Sequence, residues 1–236
     1  MSKHTSLIIL LLAASLSLLT GSADSEKRTY REFSKRGEAI HHFIFHRRRG
    51  EILITLRSDR SGTASEHTYL TGPDLSDTRR WTYRNPDTDT DITAVRTGDH
   101  ILLRGIHKGR NIQKNFKINH LPWNQVFHIG LEAAATRGDK AYRFWSIGTE
   151  GPGEMKITTF KVKRVDEPVL QFNGESVPTR RYQISLSGLL SVFWKGYYWY
   201  RLTDGRFLLY REKGKEGSDD PIMKLIAPGS DRGQIP

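Results

Sequence analysis

Short runs rich in β-branched and aromatic residues, separated by Gly, Asp, Asn and Pro, extend along most of the chain. Such runs are typical of antiparallel strands joined in a meander. The pattern predicts strands near residues 38–48, 51–58, 66–71, 79–84, 90–96, 99–107, 111–118, 141–148, 154–164, 168–172, 178–187, 190–195, 197–203, 206–212 and 222–226. We expect loose ends at 24–30 and 228–236, because neither segment has an apolar pattern that could pack.

One of the predicted turns has a strong signature. Asp204-Gly205 between two apolar runs is typical of a two-residue hairpin turn, in which glycine accepts a positive φ. The register that follows pairs Leu202 with Phe207, Tyr200 with Leu209, and Trp199 with Tyr210.

A single stretch favours a helix. Asn124 can cap residues 125–137, whose apolar positions recur on one side, and Gly138 can end the helix. The fold class predicted is therefore mainly β, a strongly curved antiparallel sheet or open barrel with one crossover helix packed over a face of the sheet.

The N-terminus has the three parts of a secretory signal. Lys3 precedes the mainly apolar stretch Leu7–Leu19, and the small residues Gly21 and Ala23 follow it. We predict a signal peptide at residues 1–23, cut after Ala23, and a single β-rich periplasmic domain at 24–236. The alternative is a segment retained as a membrane anchor.

The composition favours anionic partners. The chain has no cysteine, so its fold cannot depend on disulfides, and its formal net charge is +11, of which the predicted signal contributes only Lys3. In the envelope, a basic protein meets lipid headgroups, phosphorylated polysaccharide or acidic polymers, and nucleic acid is not expected. The residues predicted to contact an anionic membrane surface lie at two hairpin tips. Arg47, Arg48 and Arg49 lie at one tip, and Lys108 and Arg110 lie at the other. The alternative is that these are solvated turns.

No metal or cofactor is predicted. His41, His42 and His46 form the densest group of possible ligands, but His41 points away from the other two on a strand, and a site needs a third group from elsewhere. Residues 87–91 alternate Asp with Thr like the start of a calcium loop. Ile92 stands where such a loop needs glycine, and Gly98 where it needs glutamate, which favours an acidic turn.

No catalytic residue is predicted either. The chain lacks Gly-x-Ser-x-Gly and cysteine; residues 185–188 alternate as a strand does, and the glycine-rich residues 148–153 lack the lysine and helix of a phosphate loop. A carboxylate pair for polymer hydrolysis cannot be recognised from spacing, and Glu132 and Glu154 are candidates only because they adjoin the helix and a loop.

Residues 193–200 are unusually aromatic, Phe-Trp-Lys-Gly-Tyr-Tyr-Trp-Tyr. Large rings with polar tips suit a ligand groove, and the alternative is a core covered by the helix or a neighbouring strand. The ligand-binding candidates are Trp194, Tyr198, Tyr200 and Phe207.

The C-terminal half, with residues 144–148, 199–201 and Asp204-Gly205-Arg206-Phe207, resembles a family of exported bacterial proteins grouped as a domain of unknown function. The resemblance covers about residues 125–226 and has no counterpart for the Arg-rich N-terminal strands. It implies a periplasmic curved sheet similar to lipoprotein-carrier half-barrels and brings no catalytic residues.

The function expected is non-catalytic binding of an apolar or lipid-like ligand, such as an acyl chain, on the curved sheet. The first alternative is an envelope scaffold or accessory protein that binds another envelope protein through the aromatic hairpin or a sheet edge. The second is a cell-envelope polymer hydrolase.

Overall fold

The computed structural model describes residues 25–34, 37–60, 63–148, 154–187, 194–212 and 222–226, so the predicted signal at 1–23 and the predicted loose end at 228–236 lie outside the described residues. The strands are β1 Ser25–Ser34, β2 Gly37–Arg48, β3 Glu51–Arg60, β4 Thr63–Thr71, β5 Thr78–Asn85, β6 Thr90–Thr97, β7 His100–His107, β8 Arg110–Lys117, β9 Ala141–Gly148, β10 Lys156–Asp166, β11 Val169–Phe172, β12 Glu175–Leu186, β13 Lys195–Arg201, β14 Phe207–Glu212 and β15 Met223–Ile226. The helix α1 is Glu132–Arg137, and 3₁₀ turns occupy Pro86–Thr88 and Ile129–Leu131.

The strands form one antiparallel sheet built from two meanders. Its order is β8-β7-β6-β5-β4-β3-β2-β1-β15-β14-β13-β12-β10-β9, with β11 paired to β12 beside this path. The two meanders meet where β1 pairs with β15. Strands β8 and β9 end the path without pairing with each other, so the sheet is curved but not closed, and the predicted fold class is confirmed.

Strand β1 occupies most of the segment expected to be loose, so that expectation is wrong for residues 25–30. The strand pairs with β2 from Ser25, opposite His46, to Ser34, opposite Gly37. Its sequence looks polar because only Arg28 and Tyr30 are buried. The charge of Arg28 is compensated by the adjacent Glu26 and by Glu132, which is distant in sequence. A polar strand of this kind has no apolar alternation to reveal it.

The inner face of the sheet is filled by the protein itself. Inward side chains such as Phe43, Trp81 and Phe144 are completely or almost completely buried. The segment between the two meanders, residues 118–140, crosses this face and is here called the connector. Its largest side chain, Trp123, is fully buried, and Val126, Ile129 and Leu131 of the same segment join the core.

The connector is attached to both meanders through its backbone. Thr78 of β5 donates its N–H to the Trp123 carbonyl at 2.6 Å, and Asn124 donates its N–H to the Trp145 carbonyl of β9 at 2.9 Å. The Trp123 N–H in turn donates to Asp77 Oδ1 at 3.0 Å. The connector therefore joins two strands that the sheet order separates.

The helix is shorter than predicted, six residues instead of thirteen. Phe127 adopts a positive φ of 54°, which interrupts helical geometry, and Asn124 donates its side-chain amide to the Phe127 carbonyl at 2.8 Å instead of capping. Gly138 does end α1 as predicted. Its φ is 75°, and the Asp139 N–H donates to the Ala134 carbonyl at 3.0 Å, as in a Schellman motif.

The predicted register of the β13–β14 hairpin is wrong. Tyr200 pairs with Phe207, Trp199 with Leu209, and a bulge lies between these pairs. The Arg201 N–H donates to the Arg206 carbonyl at 2.8 Å, so the loop has four residues and not two. Gly205, with a φ of 68°, packs directly against the Thr136 side chain and the Glu132 carbonyl of α1, a contact that a local turn signature does not contain.

Two partly buried histidines, His67 and His128, pack against the core, and both are neutral. Burial lowers the pKa of His67 and of His128 to about 3. His67 Nδ1 accepts from the Trp81 indole N–H at 3.2 Å, whereas His128 Nε2 has no hydrogen-bond partner among the described residues. The His128 ring packs on Phe207 with centroids 4.3 Å apart.

We predict that replacing His128→Phe reduces the acid sensitivity of the fold. An imidazole whose pKa is 6.5 unfolded and about 3 folded stabilises the native state above pH 6.5, and this stabilisation is lost as the pH falls towards 3. The free energy of unfolding, measured by urea titration across this window, should therefore fall less steeply in the variant, by about 1.4 kcal/mol per pH unit. His120→Phe, at an exposed position, is the control and should parallel the wild type. Parallel curves for His128→Phe would contradict the prediction.

Candidate functional site

Three of the four aromatic candidates lie in the core. Tyr198, Tyr200 and Phe207 are at most 3% exposed, and the Tyr200 hydroxyl donates to the His128 carbonyl of the connector at 2.9 Å. Trp194 is partly buried, with its ring against Phe160 at 5.9 Å. A ligand on these side chains would have to displace the connector, so their binding role stays a prediction that the observed packing does not support.

Another concave surface lies at one end of the sheet. It is a groove of about 700 Å³ between β1, β15, the β11–β12 hairpin and the turn after β13. This volume lies in the range of small-molecule sites. Its walls combine apolar and basic side chains, namely Phe172, Val177, Pro178, Leu225 and Ile226 with Lys27, Arg28, Arg201 and Arg206. We refer to this surface as the groove.

The groove exists because neighbouring strands stop at different points. Strand β15 ends at Ile226, opposite Thr29, so residues 25–28 of β1 have no partner strand on that side within the described part of the chain. Strand β14 pairs with β15 only at Leu209 and Tyr210. The two meanders therefore diverge at this end of the sheet, and the β11–β12 hairpin forms the opposite wall.

The hairpin wall contacts β15 through an aromatic ring. The Lys224 ammonium lies 5.2 Å from the centroid of the Phe172 ring, within the range of a cation–π contact. Phe172 is buried, whereas Val169 on the same hairpin is 65% exposed. One part of the hairpin is thus packed against the sheet while another part remains in solvent.

A group of two glutamates and two arginines, Glu26, Arg28, Glu132 and Arg206, borders the groove and is here called the charge cluster. Arg28 NH1 donates to both carboxylate oxygens of Glu132, at 2.6 and 2.7 Å, and its Nε donates to Glu26 at 2.8 Å. Arg206 donates to the same Glu26 oxygen at 2.8 Å. The Phe207 N–H completes the cluster by donating to Glu132 at 2.9 Å.

The cluster connects three elements distant in sequence. Arg28 belongs to β1, Glu132 begins α1, and Phe207 begins β14. Burial raises the pKa of the Glu132 carboxyl, while Arg28 and the Phe207 amide act against that rise. Burial lowers the pKa of Arg28, but the two carboxylates outweigh it and raise the pKa above its usual range, so the guanidinium stays charged. Contact with Arg28 also lowers the pKa of Glu26.

The two predicted anionic-surface patches lie at opposite ends of the strands. Arg47 lines a second cavity of about 300 Å³ next to the charge cluster, so Arg47, Arg48 and Arg49 share the groove end. The β7–β8 turn with Lys108 and Arg110 lies at the other end, near Asn85 and Thr90. The two patches are therefore separated by the length of the strands.

The candidate metal ligands do not assemble. His41 contacts Glu32 and Ser58, and His42 contacts Thr29, on opposite faces of β2. Among the described residues there is no group of three or more His, Cys, Asp or Glu side chains placed to hold a metal ion. Asp91 pairs with Arg84 at 3.0 Å instead of facing the other aspartates of the acidic turn.

The candidate acids are held by different partners. Glu132 is buried against Arg28, whereas Glu154 is exposed and pairs with Lys114 at 3.6 Å. Ser185 is buried in β12, and residues 149–153 of the glycine-rich loop lie outside the described residues. The structure does not bring the two carboxylates together.

The chain matches no protein-family model, no curated protein and no solved structure. The resemblance to exported proteins of unknown function therefore stays a prediction. No helix in the described part of the chain combines the length and the apolar character needed to cross a membrane.

We predict that Glu132→Gln destabilises the fold by about 3 kcal/mol, because it removes one charge from a buried pair and leaves Arg28 undercompensated. Urea unfolding at neutral pH measures the change. Glu66→Gln, in an exposed pair with Arg57, is the matched control and should change the stability little. Equal effects of the two substitutions would contradict a structural role for the charge cluster.

Proposed function

We propose that this protein is an exported envelope protein whose groove binds an amphipathic anionic ligand, an acyl chain with a phosphate or carboxylate head, without converting it chemically. The observation that carries the proposal is the pairing of apolar walls with a basic rim in a cavity of ligand size. The periplasmic location is part of the proposal and rests on the N-terminal sequence pattern.

The apolar part of the groove suits a hydrocarbon chain. Phe172 and Leu225 are buried at its floor, and Val177 and Ile226 are partly exposed on its walls. Removing a methylene group from water contributes about 0.8 kcal/mol, so several buried methylenes give measurable affinity.

The rim suits an anionic head. Lys27 is exposed, and Arg201, about one third exposed, lies 3.5 Å from Asp204 in a weak ion pair. Arg206 forms an ion pair with Glu26, and its side chain remains partly exposed. These three cations line the groove together with one acidic residue, Glu175, and their N–H groups can donate to an anionic head.

The alternatives have weaker support. Tyr198, Tyr200 and Phe207 of the aromatic hairpin are buried and not free for docking, while the exposed neighbours Val95 and Leu102 form a pair on the outer face of the sheet. Edge strand β8 carries Arg110, Lys114 and Lys117, a feature that opposes strand addition. Glu132 pairs with Arg28 and Glu154 with Lys114, so the two carboxylates do not face each other as a hydrolase pair would, and this disfavours the polymer hydrolase.

Dodecyl phosphate is a suitable probe, since it combines a chain with an anionic head, and dodecyl maltoside is its uncharged counterpart. We predict that Val177→Trp, which fills the groove, weakens binding of dodecyl phosphate by about tenfold or more, equivalent to about 1.4 kcal/mol. Native mass spectrometry and calorimetric titration, both below the micelle concentration, measure the affinity.

Val169→Trp is the matched control, because it adds the same ring to the same hairpin at a position outside the groove lining. Its affinity should equal that of the wild type. Arg201→Gln should weaken dodecyl phosphate but not dodecyl maltoside. Absence of binding, or equal binding by Val177→Trp and Val169→Trp, would overturn the proposal.

A further inference from the structure

A second constellation lies on the inner face of the sheet, towards the end opposite the groove. Glu32, His41 and Ser58 stand on three successive strands, β1, β2 and β3, and His41 is directly opposite Ser58 in the register. His41 Nδ1 is 2.7 Å from Ser58 Oγ, and His41 Nε2 is 2.7 Å from Glu32 Oε2. The three side chains form a continuous hydrogen-bonded line.

The chemistry of the partners fixes the proton positions. Burial raises the pKa of Glu32, but His41 and Arg60 outweigh it and lower the pKa below 4.5, so Glu32 is a carboxylate at neutral pH. A carboxylate can only accept, so the hydrogen bond to Glu32 places a proton on His41 Nε2 and selects the neutral tautomer in which Nδ1 carries none. Nδ1 is then a free lone pair that accepts the Ser58 hydroxyl proton. A hydroxyl, a base and an orienting carboxylate are thus joined in the order that nucleophilic catalysis requires.

The surroundings keep this line in place. Arg60 NH2 donates to Glu32 Oε1 at 2.7 Å, which leaves the other carboxylate oxygen for His41. The nearby imidazoles of His67 and His128 are neutral, because burial lowers the pKa of each to about 3. His41 is 9% exposed and Ser58 is partly exposed, so Ser58 is the more accessible of the two residues.

We propose that Ser58 is the nucleophile of an acyl-transfer site that cleaves carboxylic esters, with His41 as general base and Glu32 as a positioning residue. Ser58 Oγ attacks the ester carbonyl carbon while its proton passes to His41 Nδ1. The bond from that carbon to the alcohol oxygen breaks, and His41 gives the proton to the departing alcohol. The acyl group is then carried on Ser58.

Water completes the cycle by the same route. It attacks the acyl carbon and gives a proton to His41, the bond from this carbon to Ser58 Oγ breaks, and Ser58 recovers the proton as the carboxylic acid departs. Arg60, two positions from Ser58 on the same face of β3, supplies positive charge near the developing oxyanion. The site goes beyond the proposed ligand binding and does not depend on the groove.

A small alkyl fluorophosphonate tests the inference, since it forms a covalent bond with activated serine hydroxyls. The full exported chain, incubated with the probe, should gain the mass of one adduct, and peptide mapping should place the adduct on Ser58. Mapping in the wild type decides the question even if a variant fails to fold. No adduct, or an adduct at another serine, overturns the proposal.

Ser65 provides a matched control, because it pairs with Ser58 across β3 and β4 and is also partly exposed. We predict that Ser58→Ala abolishes labelling and Ser65→Ala does not, with both proteins retaining the thermal unfolding midpoint of the wild type. His41→Ala should slow labelling by roughly 100-fold or more. Hydrolysis of p-nitrophenyl acetate should be lost in Ser58→Ala, slowed in His41→Ala and unchanged in Ser65→Ala. Equal hydrolysis rates for the two serine variants would contradict the proposal.

The role of Glu32 is separated from a purely structural one by two variants. Glu32→Gln keeps the shape but not the charge, and Glu32→Asp keeps the charge at a shorter reach. If Glu32 positions His41, Glu32→Asp should recover part of the labelling rate that Glu32→Gln loses, at equal thermal stability. Equal labelling rates in Glu32→Gln and Glu32→Asp would contradict a positioning role for Glu32.

Discussion

An open sheet with an apolar inner face must cover that face, and this chain covers it with its own connector. Trp123 of the connector is fully buried, and backbone hydrogen bonds attach the segment to β5 on one side and to β9 on the other. The connector thus fills the concave inner face of the sheet. The buried positions of Tyr198, Tyr200 and Phe207 follow from this packing, since each ring contacts the connector or its neighbours.

The same constraint explains the charge cluster. Because α1 lies against the end of the sheet, Glu132 reaches Arg28 of β1 and the first N–H of β14. A buried pair of this kind is weak evidence for net stability, but it fixes which strands meet at the point where β15 ends. The groove is the space left at this point, and its basic rim is the solvent-facing continuation of the cluster.

The two ends of the sheet have different chemistry. At the groove end, several arginines stand beside apolar walls, which suits recognition of an amphipathic anion. At the opposite end, the inner face has a serine, a histidine and a glutamate joined by hydrogen bonds, with one arginine beside them. The two proposed activities, ligand binding in the groove and ester cleavage at Ser58, would therefore use different residues of the same strand β1.

The sequence by itself determined the features that depend on neighbours along the chain. Alternating apolar positions located most strands, and Gly138 marked the end of α1. Local pattern could not reveal β1, whose inward Arg28 pairs with the buried Glu132, 104 positions away, as well as with Glu26. It also missed the truncation of α1 at Phe127 and the extra loop residues around Gly205, which packs on α1. The groove and the line from Glu32 to Ser58 were decided by the tertiary structure alone, because strand pairing and register bring together side chains that share no spacing in the sequence.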